Sequence, residues 1–453
     1  MKWAFGFPEG GNAAQPVVAG GRVFVGSPQG VYALDARSGC MYWMAKTPSG
    51  VRAAVSISPD GEIAYFADNS AAVYAVGTAK GDVKWKTQAD SNPVARVTGA
   101  LALAEGRLYV PLSSGEEASA INPYYECCKF RGSLAALDAA TGKILWHTYA
   151  IPDEPKPVGK NARGVTIFGP SGAPIWSAPT IDLKRGVVYA ATGNNYSDPA
   201  DNHSDAIEAF DLKTGKLLWT KQLLKSDRWN LACLVRIDVA NCPPNAGGDY
   251  DFGSSPILVP YTNGKTALII SQKSGDLYAI DPDQQGKIIW GDRIARGGAL
   301  GGFEWGGAVA DGIGYFPISD WRQEQPNEGG GLIAVHLDDG KRVWQAPPVR
   351  PNPDCAKTRG CSAAQIAPVT LIPGVVFSGS MDGHLRAYDA HTGKVLWDFD
   401  TARQFDAVDQ IPTHGGSLNA SGPAIVDGML YLTSGQGQGM PGNVVLALSV
   451  GGK

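Results

Sequence analysis

Residues 134–146, LAALDAATGKILW, contain the unit that decides the fold of this chain. Leu134 and Leu137 precede Asp138, and a short turn through Gly142 leads into a second segment that ends at Trp146. Aspartate can hydrogen-bond its own backbone in a turn, and glycine accepts a positive φ, so the stretch is a predicted β-hairpin. A single hairpin cannot bury its aromatic side chain alone, so we expect the unit to be repeated.

The unit recurs along the chain and can be followed by its final tryptophan. Complete copies end at Trp43, Trp85, Trp146, Trp219, Trp290, Trp344 and Trp397. An eighth copy, residues 429–450, stops before its tryptophan, and the segment around Trp3 supplies the missing strand. A ring closed by this pairing would protect the edges that an open array exposes. The sequence therefore predicts an all-β, eight-bladed β-propeller in which residues 1–453 form a single domain.

Composition and charge agree with this fold and exclude some functions. The 453 residues include 58 Gly and 31 Pro, and 18% are charged, which is typical of a turn-rich β protein. The net charge is −4 and no Lys/Arg run is present, so we expect no nucleic-acid partner. No apolar run is long enough to span a bilayer. No signal peptide is visible, so the protein is either cytoplasmic or the sequence begins at a mature or engineered boundary.

The seven cysteines favour the second alternative. Two pairs have a spacing that suits local disulfides on loops, which indicates a periplasmic or secreted protein: Cys233 with Cys242, and Cys355 with Cys361. Cys127 and Cys128 are adjacent, and a bridge between neighbours would be strained, so whether they are bridged stays open. Cys40 is predicted to be buried. No CxxCH motif occurs, so we expect no c-type haem and no cytochrome c domain.

The spacing of the repeat tryptophans indicates where a functional site lies. Trp3, Trp43 and Trp85 are 40 and 42 residues apart, whereas the next three intervals are 61, 73 and 71 residues. The extra residues must form loops between strands, and long loops on a rigid repeat usually build a binding face. We therefore expect the site to use the third, fourth and fifth copies.

The repeat form LDAxTGKxxW resembles the tryptophan-motif propellers of the quinoprotein alcohol dehydrogenases, and the resemblance covers essentially the whole chain. The stretches SGCMYW and VRAAVSI look most like the polyvinyl alcohol dehydrogenase branch of that family. The resemblance implies two cofactors near the propeller axis, pyrroloquinoline quinone (PQQ) and a calcium ion. The repeat alone is weak evidence for catalysis, because similar propellers also serve as scaffolds.

A calcium–quinone site needs oxygen ligands for a hard cation, a flat apolar surface for the ring and cations for its carboxylates. The resemblance assigns contacts with the quinone to Arg52, Thr98, Trp176, Lys273, Glu304 and Trp305, and to the pair Cys127 and Cys128. The alternative for each is an ordinary structural role, such as that of a loop arginine, a strand threonine or a core tryptophan.

The same resemblance predicts the metal ligands and the catalytic base. Glu126 in YYECCKFRG and Asn194 in TGNN are the expected calcium ligands, although Asn195 could take the place of Asn194. Asp249 in GDYD is the expected general base and a third ligand. Asp251 either adds a ligand or caps its own turn.

The implied activity is oxidation of a secondary or polymeric alcohol, of the polyvinyl alcohol kind, to a ketone. Hydride would pass to the quinone, and electrons would leave to a separate cytochrome c or a dye. A first alternative is a quinoprotein dehydrogenase for a sugar, a polyol or another small alcohol; residues 199–203 and 323–331 are the loops that could separate the two. A second alternative is a non-catalytic scaffold propeller, which has no reason to retain Trp176, Asn194, Asp249 and Lys273 together.

Overall fold

The structure is a computed structural model, and it describes residues 1–453 except 9, 12–13, 236–238, 262–263, 322–328, 350–354, 356, 436 and 453. Its strands form eight main antiparallel sheets, seven with four strands and one with five. The sheets are the blades of an eight-bladed β-propeller, as the repeat predicted.

The strands of the first four blades follow one another along the chain, after an N-terminal strand, β1 (Trp3–Gly6), that belongs to blade 8. They are β2 (Val17–Ala19), β3 (Arg22–Ser27), β4 (Gly30–Asp35) and β5 (Met41–Lys46) in blade 1; β6 (Ser56–Ile57), β7 (Ile63–Ala67), β8 (Ala72–Gly77) and β9 (Val83–Gln88) in blade 2; β11 (Ala102–Ala104), β12 (Arg107–Ser114), β13 (Ser133–Asp138) and β14 (Ile144–Tyr149) in blade 3, with β10 (Ala95–Arg96) paired to β12; and β18 (Thr180–Asp182), β19 (Val187–Ala191), β21 (Ala206–Asp211) and β22 (Leu217–Gln222) in blade 4.

Blades 5 to 8 repeat the arrangement, and the remaining elements lie in the loops. The blade strands are β23 (Ile257–Pro260), β24 (Thr266–Ser271), β25 (Asp276–Asp281) and β26 (Lys287–Arg293); β27 (Ala308–Ala310), β28 (Ile313–Pro317), β29 (Leu332–His336) and β30 (Arg342–Ala346); β31 (Thr370–Ile372), β32 (Val375–Gly379), β33 (His384–Asp389) and β34 (Val395–Asp400); and β37 (Ala424–Val426), β38 (Met429–Ser434) and β39 (Val444–Ser449) with β1. The loop elements are three strand pairs, β15 (Lys156–Lys160) with β16 (Thr166–Gly169), β17 (Ser171–Gly172) with β20 (Asn195–Ser197) and β35 (Gln404–Phe405) with β36 (Thr413–His414), the helices α1 (Glu116–Ser119) and α2 (Leu231–Val235), and the 3₁₀ turns Pro282–Gln284 and Val450–Gly452.

The ring closes through its two ends. Strand β1 pairs antiparallel with β39, so that Trp3 lies opposite Ala447 and Gly6 opposite Val444. The expected pairing of the N-terminal strand with the last blade is therefore confirmed. It gives blade 8 four strands like its neighbours, with β1 outermost, and joins the two ends of the chain in one sheet.

In seven of the eight seams between these blades, a repeat tryptophan packs on the turn glycine of the next blade; the exception is Trp397, between blades 7 and 8. Gly39 has φ +75°, and a Cβ there would lie 2.7 Å from the Trp3 ring. The indole Nε1 of Trp3 also donates to the carbonyl of Ala36 at 3.0 Å. The other pairs are Trp43 with Gly81, Trp85 with Gly142, Trp146 with Gly215, Trp219 with Gly286, Trp290 with Gly340 and Trp344 with Gly393. The glycine of the repeat is thus required both for the turn and for contact with the ring.

Replacing Trp3 by alanine is expected to lower the free energy of unfolding by about 3–5 kcal/mol, because the ring is buried at the closing seam. Trp397→Ala is the matched control. Trp397 is 39% exposed and stacks on Phe399, so its loss should cost less than about 2 kcal/mol. Urea unfolding followed by circular dichroism compares the two variants, and equal losses would contradict the role of Trp3 in closing the ring.

The first strand of each blade lies next to the propeller axis. Contacts between neighbouring blades join first strand to first strand, as between β11 and β18, β18 and β23, β27 and β31, and β2 and β37. The loops that lead into these strands therefore surround the axis, where the family resemblance predicted the two cofactors.

The cysteines form three bonded pairs. The local disulfides Cys233–Cys242 and Cys355–Cys361 are confirmed, and Cys127 is joined to Cys128. The prediction that Cys40 is buried is wrong: it is exposed, because it immediately precedes the outermost strand of blade 1, whose first residues face solvent. Within the described residues, no helix has the length and apolar character needed to cross a membrane.

Candidate active site

A cavity of about 310 Å³ lies near the propeller axis, and its wall comes from blades 2 to 6 together with Gln438. Two places in the repeat lie around this cavity. The first is four residues before the first strand, and it is occupied by Arg52, Thr98, Trp176, Gly253 and Glu304 in blades 2 to 6. The second is the loop that follows the second strand, which carries Glu117, Asn194 and Lys273 in blades 3 to 5. All of these residues except Gly253 and Asn194 line the cavity itself. The repeat therefore brings together residues that are far apart in sequence.

Trp176 forms a flat apolar surface in this cavity. A Cβ on Gly253 would lie 2.5 Å from the edge of the indole, so only glycine lets the ring lie where it does. Trp305 meets the same ring edge-on, with centroids 5.2 Å apart. The Thr98 hydroxyl donates to the main-chain oxygen of Trp176 at 3.2 Å and is 2.9 Å from Ser113 Oγ. Trp176 is therefore held from several sides.

Asp249 and Lys273 form a buried ion pair in the cavity wall. Lys273 Nζ lies 2.9 Å from Asp249 Oδ1, and both residues are 6% exposed. Burial raises the pKa of Asp249 and the lysine opposes that effect, so the carboxylate is a stronger base than an exposed aspartate. Burial alone would lower the pKa of Lys273, but Asp249 and Asp251 raise it above its usual value. The pair thus combines a base and a fixed positive charge.

The backbone at Asp249 has an uncommon conformation. Asp249 has φ +59°, in the left-handed region that aspartate adopts more readily than most residues other than glycine. A Cβ on the preceding Gly248 would lie 2.2 Å from the Tyr250 ring, which explains why glycine stands there. The backbone N–H of the next residue, Tyr250, donates to Asp227 Oδ2 at 2.9 Å, and this bond holds the loop after Asp249 in place.

Asn194 lies beside this pair and is fully buried. Its Nδ2 donates to Asp249 Oδ1 at 3.4 Å, while its Oδ1 lacks a hydrogen-bond partner among the described residues. Asp251 Oδ1 accepts a hydrogen bond from the backbone N–H of Asn194 at 3.0 Å. Its side chain therefore holds the Asn194 loop of blade 4 in place instead of capping its own turn. Asn195, the alternative to Asn194, donates to Ser204 Oγ at 2.8 Å.

Three glutamates lie near the loop of blade 3, and only Glu117 reaches the cavity wall. Glu116 accepts from the backbone N–H groups of Lys129 and Phe130 and holds residues 125–130 in place. The side chain of Glu126 is 54% exposed and pairs with Lys129 at 2.7 Å, so the structure does not bring it to the cavity. Glu117 is a candidate ligand that the sequence motifs did not indicate. Burial raises the pKa of Glu117 to about 7; Asp251 adds to this effect, and Lys273 and Arg52 oppose it.

Arg52 and Glu304 complete the charged part of the wall. The Arg52 guanidinium lies 4.9 Å from the centroid of the Trp305 ring. Glu304 is 4% exposed, and its Oε1 lacks a partner within the described part of the chain. Burial raises the pKa of Glu304 to about 7, although Lys273 and Arg52 oppose it. An unpartnered buried oxygen facing cations indicates a ligand site.

The pair Cys127–Cys128 was expected to contact the cofactor, but it is not among the residues of the cavity wall. Both cysteines are fully buried in the core of blade 3 with Leu112, Phe130 and Tyr196. Of these, only Tyr196 also lines the cavity. The cysteine pair therefore lies behind the wall and supports it.

Of the two loops proposed to separate the alcohol substrates, one can be described. His203 Nδ1 lies 2.7 Å from Glu208 Oε1, within blade 4, and His203 does not line the cavity. Residues 322–328 of the other loop lie outside the described residues.

Comparisons with known proteins agree with this geometry. The model of a family described as "Outer membrane protein assembly factor BamB" matches residues 2–197, 130–300 and 325–450, in overlapping ranges, as a repeat allows. A polyvinylalcohol dehydrogenase from Pseudomonas sp is 42% identical over 100% of this chain and 73% of its own length. A second polyvinylalcohol dehydrogenase, from Sphingopyxis sp. (strain 113P3), is 39% identical over 100% of this chain and 72% of its own. The quinohemoprotein alcohol dehydrogenase of Comamonas testosteroni has the same fold, with a TM-score of 0.71 at 19% identity over 100% of this chain and 76% of its own.

The propeller fold and the relatives that match it over the whole of this chain show that the chain belongs to the PQQ-dependent alcohol dehydrogenase family, a group of oxidoreductases. Within that family, it belongs with the polyvinylalcohol dehydrogenases.

Proposed function

We propose that this protein oxidises secondary or polymeric alcohols, of the polyvinyl alcohol kind, to ketones with calcium-bound PQQ as hydride acceptor. The observation that carries the proposal is the buried Asp249–Lys273 pair at 2.9 Å in a cavity that also exposes the Trp176 ring. A buried base beside a fixed cation and a flat aromatic surface suits proton abstraction next to a planar acceptor.

The cavity fits a planar, polyanionic quinone. Its volume of about 310 Å³ lies in the range of small-molecule sites. The Trp176 ring offers a stacking surface, and Lys273 Nζ is 5.8 Å from its centroid, placed to meet ring oxygens. Arg52 supplies a second cation for a carboxylate. Glu304 and Trp305 complete the proposed set of residues that contact the quinone. Thr98 supports Trp176 through the hydrogen bond to its main-chain oxygen.

The calcium ligands proposed for this chain are Glu117, Asn194 and Asp249. All three offer oxygen, which a hard cation requires, and Asn194 Oδ1 is available. Among the described residues, no three Asp, Glu, His or Cys side chains converge as a metal site. The amide oxygen of Asn194 would therefore join the carboxylates of Glu117 and Asp249 in holding the cation.

In the proposed reaction, the bound cofactors supply a hydride-accepting carbon and a Lewis acid. Asp249 accepts the proton of the substrate hydroxyl at its carboxylate. Lys273 holds Asp249 in place and neutralises negative charge that develops nearby. Trp176 and Trp305 exclude water from the reacting carbon. Electrons would then leave one at a time to a separate cytochrome c or a dye.

Two alternatives have less support. A scaffold would have no need of carboxylates from three blades around a buried lysine, because buried charges are costly unless they serve a site. A dehydrogenase for a sugar, a polyol or another small alcohol would use the same residues, and the substrate has to be found by assay. The confirmed disulfides support a periplasmic or secreted location. We also propose that residues 1–453 form one quinone-binding domain.

An absorbance and dye-reduction titration with PQQ, with and without calcium, tests the proposal. Saturable binding that depends on calcium, followed by dye reduction on addition of a secondary alcohol, is expected. No binding under either condition would remove the dehydrogenase proposal and favour the scaffold.

A further inference from the structure

The cavity has a charged end and an apolar mouth. Asp249, Lys273 and Glu304 lie at the charged end, whereas Leu231 and Leu234 of helix α2 line the wall together with Leu300. Leu234 is 57% exposed although it lines the cavity, so it lies where the cavity meets solvent. We call Leu231 and Leu234 the apolar lip.

The segment that carries the lip is fixed in position. Cys233, between the two leucines, is bonded to Cys242. Asn241 Nδ2 donates to the main-chain oxygens of Ala120 and Asn122 at 3.1 and 2.9 Å. Asn230 Nδ2 donates to Tyr196 O at 3.0 Å, and its Oδ1 accepts from Ala232 N–H at the start of α2. A disulfide within the segment and three hydrogen bonds to the loops of blades 3 and 4 therefore hold two apolar side chains at the mouth.

Two further exposed apolar side chains lie on the turn to which Asn241 binds. They belong to Ile121 and Tyr124, which are 38% and 68% exposed. This turn is hydrogen-bonded to the segment that carries the lip. Single exposed apolar residues need no explanation, so the inference rests on Leu231 and Leu234.

We propose that Leu231 and Leu234 are specificity-determining residues that bind the aliphatic chain on the carbinol carbon while its hydroxyl faces Asp249. The inference rests on the proposed function and identifies the part of the protein that selects the substrate. Each methylene buried against the lip should raise kcat/KM about threefold, because apolar burial contributes in proportion to the area removed from water. A sugar or short polyol would gain nothing from it.

The test uses the full chain loaded with PQQ and calcium, and 2-alkanols from propan-2-ol to octan-2-ol. Leu234→Ser is compared with Leu183→Ser, a matched control at a leucine that is 59% exposed in the turn after β18 and outside the cavity wall. The ratio of kcat/KM for octan-2-ol to that for propan-2-ol is expected to fall about 5- to 10-fold in Leu234→Ser and to stay at the wild-type value in Leu183→Ser.

An unchanged ratio in Leu234→Ser, or an equal fall in both variants, would overturn the inference while leaving the proposed function intact. PQQ binding, measured by absorbance, should be the same in all three proteins, and its loss in Leu234→Ser alone would also contradict a role confined to the substrate chain. If the loaded wild type oxidises no alcohol, the proposed function fails, and the role of the lip fails with it.

Discussion

Asp249→Asn is expected to lower kcat by at least about 10³-fold while PQQ still binds, because the asparagine amide cannot accept the hydroxyl proton. The variant keeps the shape of the side chain, and its amide oxygen can still accept a hydrogen bond from Lys273. Since Asp249 is also a proposed calcium ligand, the measurement is made in excess calcium. Dye reduction gives kcat, and absorbance gives the dissociation constant of PQQ.

Asp227→Asn is a suitable control for this variant. Asp227 is also buried and supports the same loop through Tyr250, but it does not line the cavity. It should retain far more activity than Asp249→Asn. Turnover within tenfold of wild type in Asp249→Asn would exclude it as the base, and loss of PQQ binding with an unchanged fold would count against a purely catalytic role.

Glu117→Gln should weaken calcium binding by at least about 100-fold, whereas Glu126→Gln should leave it within about twofold. The first change removes a charged oxygen ligand from the cavity wall, and losses of this size follow even changes one shell further from a metal. The second breaks only an exposed ion pair with Lys129, which contributes little. Calcium titration of PQQ binding compares the two variants directly. The opposite order would restore Glu126 as the ligand.

The difference between these glutamates illustrates what the sequence could and could not predict. Local motifs led to the predictions for Asn194, Asp249 and Lys273, each from a short pattern that needs no tertiary information, and the structure places the three side chains together. Glu126 was chosen for its neighbours in sequence, but Glu116 binds the backbone of residues 129 and 130 and leaves Glu126 in solvent. Such a long-range hydrogen bond cannot be inferred from spacing.

A usable signal for Glu117 was nevertheless present in the repeat. Glu117 follows the second strand of blade 3 by three residues, as Asn194 does in blade 4. Superposing the repeats would have placed the two side by side. The failed prediction for Cys40 has a different cause: a short segment before an outermost strand has no periodicity that separates the buried face from the exposed one.

The place four residues before each first strand has a consequence for how a ligand is oriented. This place holds a polar or aromatic side chain in blades 2, 3, 4 and 6, and in blade 5 a glycine that leaves room for the indole of Trp176. In blades 7 and 8 it holds Ile366 and Ala420. The backbone of the propeller is therefore regular, whereas the side chains around its axis differ from blade to blade. A flat anion that binds there, as proposed, would have one preferred orientation, with an acid group toward Arg52 of blade 2. A symmetric backbone would thereby give its ligand a fixed direction.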